Sequence, residues 1–182
     1  MVNQHTCYFF KKGGGIFVKK LIGIVIVIIV LISFIGLFLM KSLESDPLEI
    51  VTSYEERWGI SIPSPNKVTA LWTEPFPARG DGIWIKRLDY TNQDTSITRN
   101  MIKITETNQA EVQQYVSKFI SSSINSYSDD YKVKIQNVFR GINVNVEIGD
   151  YYYYKSENGG YDYFISLCKV SEQVVYTFEW HQ

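Results

Sequence analysis

From Leu21 to Leu39 the chain runs 19 residues without a charge, and 16 of them are Leu, Ile, Val or Phe, interrupted only by Gly23, Ser33 and Gly36. At about 1.5 Å per helical residue this length covers roughly 28 Å, close to the hydrocarbon thickness of a bilayer. Partition of such side chains into lipid supplies on the order of 5 to 10 kcal/mol, with no polar residue opposing it. A buried helix of a soluble protein is apolar on one stripe rather than all round. The segment 21–40 is therefore expected to be a transmembrane helix, and the lipid bilayer the first partner of the chain.

The flanks give an orientation. Lys11, Lys12, Lys19 and Lys20 precede the run, whereas Lys41 alone follows it among Glu44, Asp46 and Glu49. The lysine bias places residues 1–20 in the cytoplasm and the C-terminal part outside. The exit, Leu39-Met40-Lys41-Ser42-Leu43-Glu44, offers no small-x-small cleavage site, so the helix is expected to stay as a signal anchor. Gly23, Ser33 and Gly36 do not form a Gly-x-x-x-Gly pair, and no packing motif for dimerisation is present.

Of the 182 residues, 140 follow residue 42, a size suited to one domain. The net charge of -1 divides into +5 for residues 1–42, which hold five lysines and no acid, and -6 for the remainder. An acidic outer domain excludes nucleic acid as a partner, because phosphates demand a basic face. Cys7 and Cys168 fall on opposite sides of the membrane and cannot bridge, and no Asn-x-Ser/Thr acceptor occurs. A single unpaired thiol outside fits a bacterial-type cell surface better than a disulfide-stapled secreted module.

The outer domain, residues 45–182, is expected to be α+β: a mostly antiparallel sheet with two helices. Asp46-Pro47-Leu48-Glu49 is a helix start, Leu48, Val51, Tyr54 and Trp58 follow at helical spacing, and Gly59 is a C-terminal cap. Strands are expected at Lys67 to Thr73, Ile83 to Tyr90 and Ile97 to Thr105. Asn108 and Glu111 form a capping pair before Val112, Tyr115, Val116, Phe119 and Ile120, and Ser121 to Ser123 should end that helix. Ile142, Val144, Val146 and Ile148 alternate with polar residues and predict a half-buried strand. Val174 to Trp180 alternate in the same way.

Asn158-Gly159 predicts a two-residue hairpin turn. That turn sets Lys155 opposite Asp162, Tyr153 opposite Phe164 and Tyr151 opposite Ser166 on one face, and Tyr154 opposite Tyr163 and Tyr152 opposite Ile165 on the other. The second face is the more apolar and belongs to the core beneath the helix. Tyr151, Tyr153 and Phe164 then lie on the far side. Either another segment covers them, such as the Pro-rich loop near Phe76, or they form an exposed aromatic patch for a sugar ring or a partner protein.

No catalytic, cofactor or metal signature emerges. His181 is penultimate, where chains usually fray. Cys168 sits in an apolar strand and reads as a small core residue. The Cys and His clusters that zinc needs are absent, and the acids lack a Ca²⁺-loop spacing. Glu55-Glu56 and Asp129-Asp130 read as solvated surface, the latter in a loop before a strand. Asp81 closes Arg79-Gly80-Asp81, the tripeptide of integrin ligands, but among glycines and prolines it reads as a turn residue. The expected function is a membrane-anchored binding or interaction domain that meets cell-envelope material or a protein partner. The alternative is an envelope hydrolase whose two carboxylates are assembled by the fold, Asp81 being the first candidate.

Overall fold

The computed structural model describes residues 46–75, 81–91 and 95–182. The expected transmembrane segment 21–40, Phe76 and Arg79-Gly80 lie outside the described residues. Among the described residues no helix is long and apolar enough to cross a membrane.

Ser45–Gln182 form one compact unit of α+β architecture. Helix α1 is Pro47–Trp58, α2 is Gln109–Asn125 and α3 is Asp129–Arg140; the strands are β1 Lys67–Thr73, β2 Gly82–Asp89, β3 Ile102–Lys103, β4 Tyr151–Glu157, β5 Asp162–Lys169 and β6 Val174–His181. They make a six-stranded sheet in the order β1-β2-β6-β5-β4-β3, with every neighbouring pair antiparallel. The last strand in sequence is thus central in space.

Helices cover both faces of this sheet, not one. On one face Val51, Tyr54 and Trp58 of α1 pack against Leu88, Phe164, Cys168 and Val175. On the other, Val112, Val116 and Phe119 of α2 and Ile135 and Phe139 of α3 pack against Ile85, Ile165, Leu167, Tyr176 and Phe178. Every residue of β5 and β6 is buried as a result.

Helix α1 follows its sequence signals. Asp46 accepts a hydrogen bond from Leu48 N, Pro47 occupies the first turn, and Gly59 closes the helix at φ +73°, donating to Glu55 O. The left-handed conformation is one that glycine alone adopts without steric cost.

Five expectations need correction. The serines do not end α2: Ser123 packs into the interior, and Ser121 and Ser126 return hydrogen bonds to Lys118 O and Ser122 O. Asn108 turns its side chain back to Thr105 N and Lys103 O rather than onto the helix, and Glu111 accepts from Tyr115. Asp129 and Asp130 are the first turn of α3 rather than a loop, a position where acids favour the positive end of a helix. The segment 142–148 is not a strand, because the hydrogen bonds of Val146 go to the side chains of Gln109 and Gln113, and Asn145 O accepts from Lys169. Expected strand 97–105 likewise shrinks to a 3₁₀ turn at Thr95–Thr98 and the two residues of β3.

The β4–β5 hairpin is registered two residues away from the expectation. Glu157 pairs with Asp162, Lys155 with Phe164, Tyr153 with Ser166 and Tyr151 with Cys168. Asn158, Gly159 and Gly160 all have positive φ, at 50°, 70° and 94°, so the loop holds four residues rather than two. A slip of two preserves which side chains share a face. Lys155 consequently pairs with Glu157 at 2.8 Å rather than with Asp162.

Candidate functional site

The three rings proposed as a surface patch do not form one. Phe164 is fully buried beneath α1, 5.0 Å from the Tyr54 ring and 5.5 Å from the Trp58 ring, centroid to centroid. Tyr153 is half-buried and donates its hydroxyl proton to Trp58 O at 2.6 Å, while Tyr151 is half-buried at the margin of the same cluster. The covering element is α1, whose buried stripe needs an apolar floor and finds it on this face.

The same packing opens a cleft at the far end of α1. Strand β6 presents Val175, Thr177, Glu179 and His181 toward α1, changing from apolar to ionisable along its length; in the register of the sheet Glu179 lies between Trp84 of β2 and Phe164 of β5. Ser53, Glu56 and Arg57 stand at i, i+3 and i+4 on α1 and overhang this end. With Trp84, Lys86, Glu179 and His181 they line a cleft of about 550 Å³, within the range of small-molecule sites.

Its floor is a connected polar chain. Lys86 Nζ donates to Glu179 Oε1 at 3.0 Å, and Trp58 Nε1 donates to Glu179 Oε2 at 3.3 Å. His181 Nε2 faces the same oxygen at 3.6 Å, and Arg57 Nη2 lies 2.8 Å from His181 Nδ1. A guanidinium has only donors, so Nδ1 is the acceptor and the imidazole proton sits on Nε2, toward Glu179. Burial pushes the Glu179 carboxyl up, but the hydrogen bond from His181 and the charge and hydrogen bond of Lys86, aided by Trp58, outweigh it and hold it at about 2. Burial and the neighbouring Glu179 charge push the Tyr54 phenol, which is hydrogen-bonded to Thr177 Oγ1 at 2.9 Å, well above its ordinary value.

His181, expected to fray, is a buried member of the central strand, stacked 5.4 Å from the Trp58 ring and tilted against the Trp84 ring at 5.2 Å. The signal that could have located the cleft was Glu179 itself, a carboxylate within a mostly apolar strand.

Asp81 lines a second, smaller depression of about 240 Å³ with Glu74, Tyr127, Trp180 and Gln182. Glu74 Oε2 accepts from Tyr127 Oη at 2.5 Å and from Ile83 N at 3.3 Å. Burial and that contact push the Tyr127 phenol up. A Cβ on Gly82, at φ +146°, would come within 2.5 Å of Glu74 Cγ, so the glycine is required for Glu74 to lie across the strand.

Cys168 is buried, and burial pushes its thiol up to about 11, the opposite of nucleophile activation. Among the described residues no group of three or more His, Cys, Asp or Glu side chains could hold a metal ion. In comparisons with known proteins, no family model, no curated protein and no solved structure matches this chain.

Proposed function

We propose that the protein is a membrane-tethered binding module. Residues 21–40 anchor it in the bilayer, residues 1–20 face the cytoplasm, and the α+β domain meets its ligand outside through the cleft between α1, β2 and β6. The apolar run and the lysine bias support the tether. The observation that carries the binding reading is the connected polar floor of the cleft, where Glu179 accepts from Lys86 Nζ at 3.0 Å and Trp58 Nε1 at 3.3 Å and faces His181 Nε2 at 3.6 Å. A carboxylate held at about 2 by surrounding donors is ionised and stabilised as such, so it neither delivers a proton nor makes an effective base near neutral pH. Its chemistry is to fix Lys86, Trp58 and His181 as a rigid floor, which is what a receptor needs.

Two measurements test this. Protease added to intact cells should remove the domain beyond Lys41 and leave Cys7 unreachable by an impermeant thiol reagent; an intact chain beside a digested control protein overturns the topology. The full chain in detergent should be retained on isolated cell-envelope material, and Trp84→Ala should abolish retention with little loss of melting temperature.

A hydrolase reading rests on Glu74 and Asp81 lining one depression. Degradation of the same envelope material by the full chain, lost in Asp81→Asn, would move the conclusion there.

A further inference from the structure

Arg57 is the cation of the cleft that makes no direct ion pair among the described residues, although its charge is felt at the Asp162 carboxylate beside His181. Glu179 neutralises Lys86 at 3.0 Å, and no carboxylate among the described residues stands within ion-pair distance of Arg57. The guanidinium is nonetheless held in place. It lies over the Trp58 ring at 5.4 Å and spends one Nη2 proton on the lone pair of His181 Nδ1. A guanidinium oriented by a ring face and an imidazole nitrogen keeps its other donors for the open side, where it lines the cleft. Fixed donors on a planar cation that no carboxylate grips directly match a carboxylate ligand, which takes two parallel N–H groups.

The neighbours narrow the ligand further. Glu56 and Ser53 share the helix face of Arg57, and both offer acceptor oxygens. Ser53 Oγ donates its own proton to Ile50 O, which leaves the oxygen free to accept. The wall therefore alternates one anion receptor with two acceptors of N–H. The carboxylate of Glu56 disfavours phosphate or a polyanion, whose further charges no cation in the cleft remains to meet. Half-buried Trp84 supplies a flat apolar surface beside them.

We propose that the cleft binds the α-carboxylate of an amino acid or of a peptide C-terminus, with Arg57 gripping the carboxylate, Glu56 and Ser53 accepting from the adjacent nitrogen, and the side chain resting on Trp84. This rests on the binding-module reading and names its ligand class.

The test is a titration of the ¹⁵N-labelled full chain in detergent micelles, following the Trp84 indole and Arg57 Nε–H resonances. N-acetyl-alanyl-alanine should shift both saturably, and the same peptide as its C-terminal amide should not. Arg57→Lys should weaken the acid by about tenfold, the loss of a bidentate contact, and Arg57→Gln should abolish the response. Both variants alter an exposed side chain, and unchanged spectra elsewhere verify folding. Free alanine binding more tightly than the acetylated peptide identifies an amino acid as the ligand, and the reverse order a peptide C-terminus. The proposal is overturned if acid and amide bind alike, if Arg57→Gln titrates as the wild type, or if neither carboxylate shifts the two resonances up to its solubility limit. Should that happen while Trp84-dependent retention on envelope material persists, the binding-module reading stands and only the ligand class falls; loss of retention as well removes both.

Discussion

The guanidinium of Arg57 lies 2.8 Å from Nδ1 of His181, a residue 124 positions later. This contact ties the last turn of the first described helix to the penultimate residue of the chain, and the imidazole stacks on Trp58 beneath it. The α1 layer is thus closed by the end of β6, and the cleft is built where the two meet.

Removing His181 should therefore destabilise the domain. His181→Ala deletes a buried ring, its stacking on Trp58 and the acceptor of Arg57, and leaves Glu179 with one donor fewer. A loss of about 2 to 3 kcal/mol is expected. Urea unfolding checks it, with Gln182→Ala as a control, since Gln182 engages Asp162 through its backbone nitrogen and an alanine keeps that bond.

Glu179 predicts an acid limb to the stability curve. Its folded value, about 2, lies below the ordinary glutamate value of 4.5, so the stability it lends is fully present above the ordinary value and is lost as pH falls from there through about 2. The shift corresponds to something on the order of 3 kcal/mol. Glu179→Gln should be less stable than wild type at neutral pH, and the difference should shrink across that window. A difference independent of pH between these limits would contradict the assignment.

How much of this was legible in the sequence depends on whether the deciding partner was local. Helix α1 was readable to the residue, because Asp46, Pro47 and Gly59 act on their own backbone. The alternation of β4 and β5 gave the faces correctly, yet not the register, since Gly160 adds a second glycine after Asn158-Gly159 and the chain takes the longer loop. Ile142 to Ile148 alternated as a strand does, but alternation is necessary and not sufficient; side chains of Gln109 and Gln113, more than 30 positions away, took the hydrogen bonds that a strand would need. Helix α3 escapes the sequence reading although Ile135, Val138, Phe139 and Ile142 keep helical spacing, because an Asp129-Asp130 pair reads as loop as readily as a first turn. Of the cleft, only Glu179 left a signal in the sequence. Arg57, Lys86, Glu179 and His181 come from three elements, and only the central placement of β6 brings them together.

Tyr153 and Phe164 should behave as interior residues. Phe164→Ala removes a ring fully enclosed between Tyr54, Trp58 and Tyr153 and should cost about 3 to 5 kcal/mol. Tyr153→Phe removes the hydrogen bond to Trp58 O and should cost about 1 kcal/mol. Thermal unfolding of both variants decides the matter; a melting temperature unchanged by Phe164→Ala would return the ring to the surface.

The buried thiol gives a probe of the same layer. Cys168 lies against α1 with its ionisation pushed up to about 11, so an aqueous thiol reagent at pH 8 should label it only as fast as the domain opens. Labelling should accelerate in His181→Ala in proportion to its lost stability if opening and closing are fast relative to reaction. Prompt labelling of the folded wild type would show the α1 layer to be open.

A final pair of substitutions separates a buried ion pair from an exposed one. Lys169 is fully buried and gives its three protons to Asp150 Oδ2 at 2.5 Å, Glu147 Oε1 at 3.1 Å and Asn145 O at 2.9 Å, so one side chain pins the whole extended segment 142–150 to β5. Burial pulls the ammonium down, but the two carboxylates outweigh it and raise it above the ordinary lysine value. Lys169→Met retains the aliphatic stem yet strands the buried Asp150 carboxylate, whose remaining partner is Val170 N. A loss of roughly 3 to 5 kcal/mol is expected, because an uncompensated buried charge costs far more than a paired one contributes. Since the lysine is raised, its contribution is complete below about 10.5 and fades only as pH climbs beyond it, so the deficit should be constant from pH 6 to 9. Lys155→Met, at the solvent-reached Lys155–Glu157 pair with its own short contact of 2.8 Å, should melt with the wild type, because water screens that pair. Equal effects of the two substitutions would mean that Lys169 is hydrated and that segment 142–150 is held by something else.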